Sequence, residues 1–325
     1  MISKELFDDA FSGFYIIDCA VRSKTVFSFA LVEKNREELV QGHESTRLVN
    51  YFSEGDGEVG WGEYGGFQAP KLAVAYQPKE QALMIDRDGG IAVLGGGQNK
   101  MEEPIPMGGP DQPLYTSVHD LVSIDGYVYA TGPWRAVCRR IGPDQWEQVG
   151  DRSSLPVPKR DSYGSNDEGF DAIDGFNASD IYCVGGRGDA WRFDGQRWRQ
   201  CPLPTNWLLE SVCCAGDGYV YIGMQSGSVM RGREDRWEII YEGRMTLPFK
   251  DMVWYDGKVW CTSDYGIWVI EDGKLTEPDL PAEVRACSGN LSVGDGVMLL
   301  AGLYGAIVYD GKTWTPLVNA FASNG

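Results

Sequence analysis

IYCVGGRGDAWRFDGQRW, residues 181–198, reads as three short strands joined by two turns. Ile181 to Val184 is an apolar run of β-branched, aromatic and small residues, suited to a strand buried on both faces. A glycine-containing turn leads to a second strand, Ala190 to Phe193, and Asp194-Gly195 supplies the positive φ of a tight hairpin. Trp198 opens the next strand and is large enough to fill a widening gap between neighbouring sheets.

The same unit recurs. The residue ending its second strand is Gly95, Gly132, Gly185, Gly223, Ser263 and Gly302, at spacings of 37, 53, 38, 40 and 39. A second ruler, the residue after the Asp-Gly-type turn, runs Trp146, Trp198, Trp237, Leu275 and Trp314, spaced 52, 39, 38 and 39. Two rulers with one period and one shared insertion point to a β-propeller, because a period near 40 with several short strands is its mark. The recurring glycine either takes φ > 0 or lets backbones approach near the axis.

These units resemble the short four-stranded blades of bacterial propellers in the photosynthetic-assembly-factor, sialidase-like and kelch-like group. Gly185-Gly186 followed by Trp198 carries the kelch-like part of the likeness, and the Gly-His and Trp-Asp signatures of WD40 blades are absent. The resemblance covers about residues 81–318 and implies an architecture without an activity. The expected fold is therefore all-β, a single propeller domain over 1–325, with seven four-stranded blades and six as the alternative. Blade one pairs Tyr15 to Val21, Thr25 to Val32, Arg47 to Phe52 and Lys71 to Gln77, with an aromatic, glycine-rich insertion at 53–68. Blade two starts near Ala82 with Asp86 to Gly90 as its first hairpin turn, and blades three to seven run from Ser117 to Leu317 with an insertion at 151–166.

At 325 residues and 43% apolar content the chain can bury a sizeable core. Net charge −18 and pI near 4.5 disfavour nucleic acid and anionic membrane as partners. MISKELFDDAF lacks the cationic-then-apolar pattern of a secretion signal, and no run approaches a membrane span, so the expected compartment is the cytoplasm. Eight cysteines without C-x-x-C spacing fit buried reduced thiols.

Chemistry is sparse. His43 and His119 are the two histidines, and neither has a partner at ligand spacing, which argues against zinc and nucleophilic triads. Ser165 to Phe170 and Ser263 to Trp268 are broken versions of the sialidase Asp-box. Adjacent carboxylates such as Asp8-Asp9, Glu37-Glu38 and Glu102-Glu103 point to opposite faces of a strand and do not form an acid–base pair. No catalytic residue, metal site or cofactor is assigned, and Arg187-Gly188-Asp189 reads as a charged turn.

One set of loops stands out. Second-to-third-strand turns and blade connections open on one face of a propeller, and there they carry Trp134, Arg135, Arg187, Asp264, Tyr265 and Tyr304, with Gln98, Asn99 and Gln225 beside them. Trp207, on a blade connection, and Trp61, in the first insertion, join the candidate partner-binding set. Exposed Trp, Tyr and Arg are the residues that anchor protein interfaces. The expectation is a non-enzymatic protein-binding ring, monomeric when free. Its most specific version is an immunity protein that binds and occludes a toxin or effector, which a basic surface would steer toward this acidic chain. A glycan-binding or glycoside-hydrolysing propeller and an assembly scaffold are the alternatives.

Overall fold

The computed structural model describes residues 1–34, 45–109, 111–158 and 168–319. His43, Glu37-Glu38, the Ser165-to-Asp167 start of one broken Asp-box and part of the 151–166 insertion lie outside the described residues. Seven antiparallel sheets of four strands each form the blades, spanning 14–65, 71–102, 120–148, 172–200, 209–241, 251–276 and 290–319. Each blade is one continuous run of chain, so the fold is a seven-bladed propeller in which no strand is shared across the closing seam. No helix among the described residues is long and apolar enough to cross a membrane.

The second strands are the most deeply buried, as their composition requires. Ile181, Tyr182, Cys183 and Val184 are essentially inaccessible, and so is the whole of Gln81–Ile85 in blade two. Seven apolar clusters, most of them spanning two neighbouring blades, make up the core. All eight cysteines are unpaired, and seven of them are buried.

Around the axis, aspartates of the innermost strands tie one blade to the next. Asp18, Asp120, Asp174 and Asp251 accept backbone N–H bonds from Leu72, Ile173, Cys214 and Leu291 of the following blade, at 2.8, 3.1, 2.6 and 2.8 Å. At the seam between blades seven and one the backbone N–H of Val21 donates to Ser292 Oγ at 2.9 Å. An N-terminal segment reinforces that seam. The Ile2 N–H bonds the Leu317 carbonyl at 2.8 Å, and helix α1 (Lys4–Ala10), capped by Ser3, buries Phe7 and Ala10, with Phe11 beyond its end, between the two blades.

Two strand assignments made from sequence need correction. The fourth strand of blade one is Glu58–Gly65, inside the stretch expected to be an insertion at 53–68, and it pairs Phe52↔Glu58 through Ser45↔Gly65. Its pattern EVGWGEYG is that of a half-exposed outer strand, where burial on one face leaves no apolar run to detect. Lys71–Ala75 is accordingly the first strand of blade two, and Asp86 to Gly90 is that blade's second hairpin turn. Gly95 ends a third strand, so the first ruler is one strand out of phase there.

Candidate functional site

Each strand order fixes which loops share a face. The second-to-third-strand turns and the blade connections form one side, called here the loop face, and the other two hairpin sets form the opposite side. Gln98 and Asn99 begin the fourth strand of blade two and lie toward the opposite side, a consequence of the phase correction. There Asn99 Nδ2 donates to the Trp61 carbonyl at 3.0 Å and its Oδ1 accepts from Tyr64 at 2.6 Å.

Tyr265 and Tyr304 occupy matching two-residue turns, between the paired Ser263↔Gly266 and Gly302↔Gly305. Tyr265 is 85% exposed and Tyr304 50%. Asp264 is exposed beside Tyr265 and pairs with Lys250 Nζ at 3.0 Å. Leu303, Leu247 and Leu208 add exposed apolar surface on the turns and connections of blades five to seven. Sequence reasoning missed these leucines, because a single apolar residue in a loop has no periodicity to mark it.

Trp134 and Arg135 share a turn but play different parts. Both have positive φ, 67° and 57°, an uncommon backbone for residues with a Cβ. Arg135 turns inward and is buried. Its Nε donates to both oxygens of the buried Asp189 at 3.0 and 2.8 Å, its Nη1 to the Pro156 carbonyl at 2.8 Å, and its Nη2 lies 3.1 Å from Glu168. The same Asp189 carboxylate accepts from the Gly169 N–H and the Trp191 indole, both at 2.8 Å. Arg135 therefore holds the turn, and its guanidinium is engaged within the chain.

Trp134 instead lines an open pocket of about 480 Å³ on the loop face, walled by residues of blades two, three and four. His119 and Asp171 meet there, Nδ1 to Oδ1 at 2.8 Å, although 52 residues separate them in the chain. Among the described residues no three His, Cys, Asp or Glu side chains are grouped to hold a metal ion.

The remaining expected residues divide. Arg187 is exposed on the blade-four turn, with a backbone bridge to Leu208. Trp207 is half-buried against the blade-four and blade-five core, and its carbonyl accepts the Gly188 N–H at 3.0 Å. Trp61 is occupied at the outer edge of blade one: its indole N–H donates to Asp9 at 2.9 Å, and the Arg47 guanidinium stacks 4.3 Å from its ring. It fastens α1 and does not join the aromatic turns of blades six and seven. The loop face thus presents an exposed apolar set over blades five to seven and a polar pocket across blades two to four.

A curated relative, the immune protein Tsi7 of Pseudomonas aeruginosa strain PAO1, is 34% identical over 242 residues, covering 74% of this chain and 77% of the relative. The chain belongs to the Tsi7 family of immune proteins. No protein-family model matches it. Among solved structures, YCF48 from Cyanidioschyzon merolae aligns with a TM-score of 0.59 at 11% identity, covering 91% of this chain and 95% of that one. Saccharomyces cerevisiae Sqt1 aligns with a TM-score of 0.59 at 9% identity, over 95% and 86% of the two chains. These two share the propeller fold, and the YCF48 match agrees with the assembly-factor resemblance of the blades.

Proposed function

We propose that this immune protein binds a toxin or effector protein through the loop face and neutralises it by occlusion, without catalysing a reaction. The observation that carries the reading is the kinship with Tsi7 over three quarters of the chain. The choice of face rests on Tyr265, the most exposed large apolar side chain among the described residues, held on a tight turn that costs little entropy to order. A rigid ring needs no rearrangement to cover a partner. The acidic chain favours a partner with a basic surface, met in the cytoplasm where the toxin would act.

The test is co-expression with the proteins encoded by the genes neighbouring this one, a toxin-like protein being expected among them, followed by affinity measurements on purified complexes. Tyr265→Ala and Tyr304→Ala are expected to lower affinity by about 2 kcal/mol each if they anchor the interface. Asp194→Lys and Asp310→Lys, on the opposite side, should leave it within about 0.5 kcal/mol once salt screens their long-range field. The reverse pattern would place the partner on the other face, and recovery of no stoichiometric protein partner would remove the reading.

A further inference from the structure

On the loop face, the turns and connections of blades five to seven are depleted of charge. Three of these six segments, residues 201–208, 225–227 and 303–304, contain no Asp, Glu, Lys or Arg. All six together hold five acids against three bases, in a chain of net charge −18. Leu208, Leu247 and Leu303 are 37%, 44% and 42% exposed there, beside the far more exposed Tyr265. Each segment is fastened to the next. The Gln225 N–H donates to the Leu208 carbonyl at 2.9 Å, and the Met245 N–H to the Ser226 carbonyl at 3.0 Å. Lys250 Nζ pairs with Asp264 at 3.0 Å, and Ser288 Oγ donates to the Asp264 carbonyl at 3.2 Å. The Ser288 carbonyl in turn lies against Gly302, at the base of the blade-seven turn. Pro202, Pro204, Pro248, Pro278 and Pro281 fix φ within the three connections. The leucines thus stand on a prearranged row, and little conformational entropy is lost when they are covered.

Charge decides what can cover this row. The core of a protein interface is depleted of charged residues and rich in apolar and aromatic ones, which is the composition here. A lysine or arginine of a partner seated on Leu208 or Leu303 would give up its hydration with no carboxylate in those loops to pair it. A second copy of the chain is disfavoured, because two molecules of net charge −18 repel each other, and an anionic lipid surface is repelled for the same reason. We propose that the row over blades five to seven receives an apolar, uncharged patch of the toxin's surface, with Leu208, Leu247, Tyr265 and Leu303 as its contacts. The proposal rests on the toxin-binding reading above and separates two roles within it. The acidity of the chain steers a basic partner, and burial of apolar surface holds it.

Opposite charges placed at one position separate contact from steering. The toxin found by co-expression is titrated against the full chain carrying Leu247→Asp, Leu247→Lys, Leu303→Asp or Leu303→Lys, each first checked for wild-type melting. The two leucines lie on separate exposed loops, so a folding defect at one leaves the other as the test. Either charge at either position should weaken binding about tenfold or more, since each would bury an unpaired ion. Tighter binding with Asp and weaker binding with Lys would show a basic contact surface and overturn the proposal. The wild-type dissociation rate should rise less than about threefold between about 50 and about 500 mM salt, and a steeper rise would place the binding energy in ion pairs and also overturn it. Sedimentation of the free chain should show a monomer, and a dimer that Leu303→Asp dissolves would assign the row to a second copy instead. If the wild-type chain binds a toxin and all four variants bind it equally well, this proposal alone falls. If the wild-type chain binds none, the immunity reading falls and takes the proposal with it.

Discussion

The glycines that end the second strands earn their place by close approach and not by φ. Gly132, Gly223 and Gly302 all lack positive φ. A Cβ on Gly132 would collide with the backbone carbonyl of Ser117, and one on Gly302 with that of Ser288, because the connection entering each blade crosses directly over the strand end. At Gly223 the obstruction is side chain, Ser211 Oγ and Met252 Sδ, the latter 2.9 Å from the added carbon. The sequence pattern located these residues correctly, and the reason emerges only when sequence-distant backbones are brought together. Gly302→Ala should therefore lower the melting temperature more than Gly223→Ala, since a backbone carbonyl cannot step aside and a methionine can. Equal losses in thermal denaturation would count against the crossing geometry. Asp189 makes a second residue-scale case: it is 2% exposed and is the anion for a buried guanidinium and two further N–H donors. Asp189→Ala is expected to cost about 3–5 kcal/mol in urea denaturation, because removing one partner strands a buried charge.

Element by element, legibility tracked burial. Blades three to seven were readable because their second strands are largely apolar runs and a Trp or Leu stands first or second in their fourth strands, as with Trp198 and Trp314. Glu58–Gly65 escaped notice because an outer strand with three glycines among its eight residues has neither signal. Helix α1 was hidden for a related reason: seven residues give barely two turns, and its stability comes from the seam it packs into. The candidate site was legible in part. Tyr265 and Tyr304 stood out as aromatics in turns, whereas the inward course of Arg135 depends on Asp189, 54 residues away. The His119–Asp171 contact likewise joins blades that no local pattern connects. At this scale the test concerns the seam. Phe11 is 2% exposed and packs 5.6 Å, centroid to centroid, from Phe29 of blade one. Phe11→Ala should cost about 3–5 kcal/mol, and because the blades there share no strand, limited proteolysis should cut first near the N-terminus. A variant as stable as wild type would show that α1 merely rests on a ring already closed by Ser292.

For the whole molecule, acidity has a structural origin as well as an electrostatic effect. The hairpin turns opposite the loop face contain thirteen acids against four bases, and many of those acids are doing turn chemistry. Asp194 and Asp310 each accept two backbone N–H bonds of their own turns, which holds both carboxyls below the ordinary carboxylate range. Their contribution is present above that range and is lost as pH falls through it. The aspartates around the axis behave oppositely. Burial raises the carboxyls of Asp174 and Asp251 from 3.8 to about 7, against the lowering effect of the N–H bonds they accept. The folded chain therefore holds protons there that the unfolded chain has released, so stability declines as pH rises from about 4 to about 7 and levels off above. The variant that isolates this is Asp174→Asn. It loses one acceptor, since Asp174 takes N–H bonds from both Gly175 and Cys214, and so should be less stable than wild type at pH 5. It carries no proton to release, so the gap should narrow steadily through neutrality and stay constant above pH 8. Urea denaturation of both proteins across that range measures the gap directly. A gap that widens with pH would mean that the two N–H donors outweigh burial, and that the ring of axial aspartates is held as anions.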